Sequence, residues 1–170
     1  AESDGAVRAY NAASTNEKER SKGIEIPVSW RSGMTFSSLR ISHDGARVVV
    51  VGTRDGTAAV VMSGVVRDSS GTPKGFTEPV RVTSSITPRT AVWAGEQNLV
   101  VVNDKTGESE VTTLSGEETK FDRLDGVKSV SAAGNTSNML AHRSDGSCYV
   151  LEERGWNRLN TSTREMSFAG

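Results

Sequence analysis

The residues that come nearest to a catalytic group in this chain are Ser42, His43 and Asp44. A hydroxyl, an imidazole and a carboxylate can act as nucleophile, base and orienting acid in a hydrolytic triad. Neighbouring residues of a strand or tight turn point in different directions, however, so adjacency along the chain does not bring these groups together. His142 is the only other histidine. We therefore interpret the run as a solvated turn.

Metal and cofactor sites have equally little support. The two histidines stand outside any His-Glu-x-x-His spacing, and one cysteine cannot form a Cys-x-x-Cys pair. Asn103–Glu108 could be drawn as a calcium loop, but it lacks alternating oxygen ligands and contains Lys105. Cys148, the single thiol, lies in a strand-like stretch and is predicted to be a small buried residue. The sequence predicts no catalytic residue, no cofactor and no metal, and hence no enzyme.

Charge and the length of the apolar runs exclude two further classes of protein, those that bind nucleic acid and those that cross a membrane with a helix. The chain has 170 residues and a formal net charge of −1, whereas a nucleic-acid-binding surface needs a clear basic excess. Its apolar runs are far shorter than the roughly 18–20 residues that cross a bilayer.

Only 35% of the residues are apolar and 5% aromatic, and 17 are glycine. This composition predicts many short strands that are joined by tight turns.

A repeated turn organises these strands. Asp4-Gly5, Asp55-Gly56, Thr106-Gly107 and Asp145-Gly146 recur at intervals of about 40 to 50 residues. Such dipeptides between two strand-like runs indicate a hairpin, because glycine supplies the positive φ that the turn requires. A further strand precedes each of the last three hairpins. The predicted first strands contain Leu39–Ile41, Ala91–Trp93 and Val127–Val130.

The second and fourth strands of each unit differ in pattern. The second strands are the apolar runs Val48–Val51, Leu99–Val102 and Met139–Ala141. An unbroken apolar run predicts a strand that is covered on both faces. The fourth strands, Val80–Thr83, Phe121–Leu124 and Trp156–Leu159, alternate apolar and polar residues, as half-exposed edge strands do. Repeated four-stranded antiparallel sheets with covered middle strands predict an all-β fold, the blades of a β-propeller.

The units divide the chain into one propeller domain with four parts. Residues 1–36 form a partial blade and linker, and residues 37–84 form a blade in which 64–79 are an insertion. Residues 85–125 form the next blade, and residues 126–170 form a blade and tail. We predict that the insertion is an exposed loop or an extended hairpin. Three to four blades are fewer than in most propellers, so we expect part of a larger propeller or closure by self-association.

Several motifs in order point to a family. Residues 39–50 read LRISHDGARVVV, and they are followed by GVVRD at 64–68, GTP at 71–73 and AVW at 91–93. This order, with the insertion in the matching blade, resembles the propeller region of the actinobacterial lipoprotein LpqB family. The resemblance covers about residues 30–105, and the remainder follows the general blade pattern.

The resemblance implies an extracytoplasmic protein that is held on the cell membrane by an N-terminal lipid anchor with palmitate. It also implies a partner, the extracytoplasmic part of a two-component sensor kinase, and a role in cell-envelope signalling. We therefore expect a non-enzymatic module for protein–protein interaction. This chain contains no lipobox, and Cys148 is in the wrong place to be the anchored cysteine.

Lys74 and Phe76 are the candidate partner-binding residues. They lie in the polar insertion, where an aromatic side chain flanked by charge can anchor a protein partner. Packing of Phe76 back onto its own blade is the alternative. The competing function is a propeller hydrolase or glycan-binding domain with its site in the central channel. Its candidate residues, on the loops that flank the first strands, are His43, Asp44, Gly95, Glu96 and Asn135.

Overall fold

The computed structural model describes residues 8–9, 15, 17–18, 23–25, 33–114, 123–132, 138–152 and 155–159. Within them the chain forms antiparallel β-sheets whose strands follow one another closely in sequence. Two short strands, β1 (Arg8–Ala9) and β2 (Ile24–Glu25), pair with each other ahead of the larger sheets. No helix in the described part of the chain is long and apolar enough to span a membrane.

The first blade is the largest sheet. Its four main strands, in spatial order, are β3 (Met34–Ile41), β4 (Arg47–Arg54), β5 (Thr57–Arg67) and β7 (Val80–Val82). A short strand, β6 (Pro73–Phe76), pairs with the far half of β5. The insertion between the third and fourth main strands is therefore an extended hairpin. The sheet begins at Met34 because Met34, Thr35 and Phe36 pair with the last residues of β4.

The second blade comprises β8 (Thr90–Ala94), β9 (Asn98–Asn103) and β10 (Glu108–Thr113). Its predicted fourth strand falls partly on Phe121 and Asp122, which lie outside the described residues, while Arg123 and Leu124 are not in a strand. The third blade has four strands in sequence order: β11 (Val127–Ala132), β12 (Met139–Arg143), β13 (Cys148–Glu152) and β14 (Gly155–Arg158). The all-β prediction is confirmed.

The hairpin turns have the backbone that their residues predict. Asp55 and Gly56 both have positive φ, 50° and 76°, and they join β4 to β5 through a two-residue turn. Gly107 and Gly146 have φ values of 77° and 83° in the corresponding turns of the second and third blades. The Asp4-Gly5 turn lies outside the described residues.

The valine run of β4 is buried from both sides, as predicted. Val49 and Val51 face the second blade, where they join a core that contains Trp93 and Leu99. Val48 and Val50 face the opposite way, against a group of half-buried apolar side chains: Phe36, Leu39, Val61 and Phe76. Full burial of one valine stabilises the fold by about 1.5–3 kcal/mol, so this strand contributes strongly to the first blade.

A second core joins the second blade to the third. Val100 and Val102 of β9 pack with Met139 and Ala141 of β12, and the half-buried Trp156 packs against the same core. Successive blades thus stack face to face. The first strands of the three blades, which we call the innermost strands, are β3, β8 and β11. They lie side by side, since β8 contacts both β3 and β11.

Candidate functional site

Residues 64–79, which we call the arm, form an ordered hairpin on the first blade. Val65 pairs with Phe76, and Val66 pairs with Gly75. At the base, the Ser63 hydroxyl donates to the Thr77 carbonyl oxygen at 2.6 Å, and the Gly64 amide donates to the Thr77 hydroxyl at 2.9 Å. These bonds close the arm where it leaves the sheet.

The tip of the arm is organised by Asp68. Its Oδ1 accepts hydrogen bonds from the Ser70 hydroxyl at 2.6 Å and from the Ser70 and Thr72 amides, each at 3.0 Å. Lys74 Nζ lies 3.2 Å from Asp68 Oδ2. The Ser70 hydroxyl, followed by the Thr72 amide and Lys74, lowers the pKa of Asp68 to about 2. The ionised carboxylate therefore holds the turn over the ordinary pH range.

Arg67 connects the arm to the turn between β3 and β4. Its Nη2 donates to the Gly45 carbonyl oxygen and its Nη1 to the Gly71 carbonyl oxygen, both at 2.9 Å. Gly45 has a φ of 66°, and a Cβ built on it would lie 3.0 Å from Arg67 Nη2. The arm is thus fixed at its base, at its tip and against the neighbouring turn.

The two predicted partner-binding residues have different environments on this arm. The Lys74 side chain is 60% exposed, whereas Phe76 is half-buried and packs on the side of Val48 and Val50. The apolar residue that the arm exposes more is Val66, at 44%. Phe76 therefore packs onto its own blade, which is the alternative to a free aromatic contact. The role of Lys74 and Phe76 in partner binding stays a prediction.

The structure does not assemble a triad from Ser42, His43 and Asp44. The buried Ser42 hydroxyl donates to Asp44 Oδ1 at 2.6 Å and accepts from the Arg47 amide at 2.9 Å, while His43 is exposed. The Ser42 hydroxyl, followed by the Ala46 amide, lowers the pKa of Asp44. This serine and this aspartate therefore hold a turn together.

Glu96, one of the candidate residues for a site in the central channel, does lie close to this turn. The side chain of Glu96 contributes to the lowered pKa of Asp44, and its carbonyl oxygen accepts from Arg47 Nη1 at 3.2 Å. The contact links the first blade to the β8–β9 turn of the second. Asn135 lies outside the described residues.

A cysteine–histidine pair that the sequence reading missed lies in the third blade. Cys148 and His142 are opposite each other in the β12–β13 ladder, and Cys148 Sγ lies 3.8 Å from His142 Nδ1. Both are buried, Cys148 completely. Their symmetric placement about the Ser144–Gly146 turn was the available signal. A nucleophile has to reach a substrate, and the enclosed Cys148 does not. Its position agrees with the prediction of a small buried residue.

The innermost strands of the three blades border a groove of about 320 Å³, which we call the inner groove. Arg40 enters it from the first blade, Thr90 and Val92 from the second, and residues 128–132 from the third, with Val102 and Asp104 completing the lining. Sequence reasoning missed this site, because its residues come from three separate repeats. Within the described part of the chain, no three histidine, cysteine or acidic side chains cluster as metal ligands would.

Comparison with known proteins agrees with this architecture. Curated proteins give no match to the chain. The family described as the lipoprotein LpqB beta-propeller domain matches residues 1–166, which is nearly the whole chain and includes all three blades and the arm. Stacked antiparallel blades, the arm and this match together show that the chain belongs to the family of lipoprotein LpqB beta-propeller domains.

Proposed function

We propose that this chain is a non-enzymatic interaction module of an extracytoplasmic, lipid-anchored protein. Its proposed partner is the extracytoplasmic part of a two-component sensor kinase, and its proposed role is cell-envelope signalling. Membership of a lipoprotein propeller family supports the location. The observation that carries the binding function is the arm, an ordered hairpin beyond the four main strands of its blade.

The arm has the properties of a binding surface. An already ordered segment loses little conformational entropy on association. Asp68 and Arg67 order the tip of the arm, and the bond from Ser63 to Thr77 closes its base. The arm exposes Val66 at 44%, and Lys74, which is 60% exposed, precedes the Gly75 that pairs with Val66. Ile41, 56% exposed, lies at the end of β3 opposite Val48, which in turn pairs with Ser63 at the base of the arm. A contact surface between proteins typically has apolar groups at its centre and polar groups at its rim.

The competing hydrolase or glycan-binding function has less support in the inner groove. Asp104 is the one carboxylate among the described lining residues, and Arg89 Nε holds its Oδ1 at 2.8 Å. An acid–base pair of the kind that glycoside hydrolases use needs a second carboxylate near the first. The described lining also offers no aromatic ring against which a sugar could stack.

Binding of a purified sensor-kinase extracytoplasmic domain tests the proposal. We expect Val66→Ser combined with Lys74→Ala to weaken binding at least about tenfold, because both groups lie in the proposed contact. Lys105→Ala, a change at an exposed turn of the second blade, is the matched control and should bind like the unchanged protein. Equal binding by all three proteins would remove the arm from the interface, and turnover of a glycan or peptide library would overturn the non-enzymatic assignment.

A further inference from the structure

The inner groove carries two cationic side chains that have no carboxylate partner among the residues the structure describes. Arg40 and Lys128 are exposed lining residues, and neither forms an ion pair within the described residues. The only hydrogen bond from the Arg40 guanidinium there goes to the carbonyl oxygen of Leu39, at 2.8 Å. Asp104, the acidic lining residue, is already bound by Arg89. The groove therefore has an excess of positive charge, although the whole chain has a net charge of −1.

A local backbone irregularity occurs where Lys128 enters the groove. In the β11–β12 ladder Val127 pairs with Arg143 and Ser129 with His142, so Lys128 is the extra residue of a β-bulge. A bulge interrupts regular pairing and redirects a side chain, which is why bulges are frequent beside functional sites. Arg40 reaches the groove from β3, on the other side of β8. The two positive groups therefore come from opposite borders of the groove.

The rest of the lining suits a ligand that is partly apolar. Val92, Val102, Val130 and Ala132 contribute apolar surface, and Thr90, Ser129 and Ser131 contribute hydroxyls. The Ser131 hydroxyl is buried and has no hydrogen-bond partner within the described structure. An unpaired buried hydroxyl costs free energy that a bound acceptor would recover. A volume of about 320 Å³ is in the range of small-molecule sites.

We propose that the inner groove binds a small dicarboxylate, with Arg40 and Lys128 each binding one carboxylate. The apolar lining contacts the short carbon skeleton between them, and the hydroxyls of Ser129 and Ser131 donate to the carboxylate oxygens. Phosphate suits the groove less well, because its described lining has neither a glycine-rich cradle nor a helix N-terminus. Arginine and lysine with hydroxyls are sufficient for carboxylates.

Titration calorimetry of the whole chain with glutarate at low salt tests this site. We expect one glutarate per chain, weaker binding as sodium chloride is added, and no binding of the uncharged diamide of the same length. Arg40→Gln and Lys128→Gln should each lower the affinity for glutarate at least about tenfold, since each removes a charge-assisted hydrogen bond. Both side chains are exposed, so thermal unfolding should show that the variants fold.

Arg81→Gln provides the matched control. Arg81 is exposed on β7, at the outer edge of the first blade, and its replacement removes the same charge far from the innermost strands. This variant should bind glutarate like the unchanged chain. Failure of millimolar glutarate to bind, an equal loss with Arg81→Gln, or tighter binding of inorganic phosphate than of glutarate would each overturn the proposal. None of these outcomes affects the proposed role of the arm.

Discussion

The same small hydrogen-bonded unit recurs at three aspartates. Each aspartate binds a serine hydroxyl and the backbone amide two residues further on, and each has a pKa lowered first of all by that hydroxyl. The aspartates are Asp44, Asp68 and Asp145. Each follows a strand of a different hairpin, so the units fix the turns. They require the ionised form of the carboxylate, because that form accepts both bonds.

This chemistry predicts a loss of stability in acid. A carboxyl group whose pKa is lower in the folded than in the unfolded chain stabilises the fold above its unfolded pKa, and protonation removes that contribution as the pH falls. For Asp68 the loss should occur between its ordinary value of 3.8 and about 2. We expect the thermal unfolding midpoint to decrease steadily over this range.

The substitution Asp68→Asn measures the contribution of the Asp68 carboxylate separately from those of Asp44 and Asp145. The amide keeps an acceptor oxygen but carries no charge, so the variant should be less stable than the unchanged chain at pH 6. The stability difference should become small as the pH falls to 2, because a growing fraction of Asp68 is then protonated. A stability difference that stays constant between pH 6 and pH 2 would contradict this reading of the turn.

At the scale of the element, the arm depends on the planar geometry of Arg67. Its guanidinium donates to two carbonyl oxygens from different turns, Gly45 and Gly71. A lysine keeps the positive charge but cannot direct two fixed donors to both acceptors. The arm should therefore loosen in Arg67→Lys while the three blades keep their structure.

Hydrogen exchange can measure this loosening. In the arm the Val65 amide donates to Ala46 and the Thr77 amide to Gly64, at 2.7 and 2.9 Å. In Arg67→Lys we expect these amides to exchange about 5- to 30-fold faster, which corresponds to a loss of about 1–2 kcal/mol of local stability. Arg81→Lys, on β7 outside the arm, is the control. Unchanged protection in Arg67→Lys would show that the arm is held without its guanidinium.

At the scale of the whole molecule, the second and third blades meet closely at Gly107 and Gly126. The Val127 amide donates to the Gly107 carbonyl oxygen at 2.9 Å, and a Cβ on Gly107 would lie only 2.8 Å from Gly126 Cα. Backbone cannot move away as a flexible side chain can. The contact therefore requires glycine at position 107 for reasons of space as well as of φ.

Two alanine substitutions separate these two requirements. Gly56 has a similar φ of 76°, and no atom of the described residues lies within 4 Å of its Cβ position, so Gly56→Ala should cost about 1–2 kcal/mol from backbone strain alone. Gly107→Ala should cost about 1–3 kcal/mol more, because the blades must separate to accommodate the methyl group. Denaturant unfolding measures both values. Equal losses would mean that the close approach of the blades contributes nothing.

The local pattern of the sequence was sufficient for much of this fold. Unbroken valine runs predicted strands covered on both faces, and the Asp-Gly dipeptides predicted the turns, because both depend on side-chain alternation or backbone φ over a few residues. Trp156 was correctly assigned to a strand, and it packs against the core between blades. The insertion Gly64–Pro79 was located by its composition, which also allowed an extended hairpin.

The tertiary structure alone decided which distant residues meet. The stacking of blades brings Arg40 and Lys128 to one groove, and strand register places His142 against Cys148. The sequence left both an exposed contact and packing onto its own blade open for Phe76, and packing against Val48 and Val50 leaves it half-buried. Such contacts depend on register, bulges and blade stacking over tens of residues, whereas the periodicity of a single strand determines only which face each side chain takes.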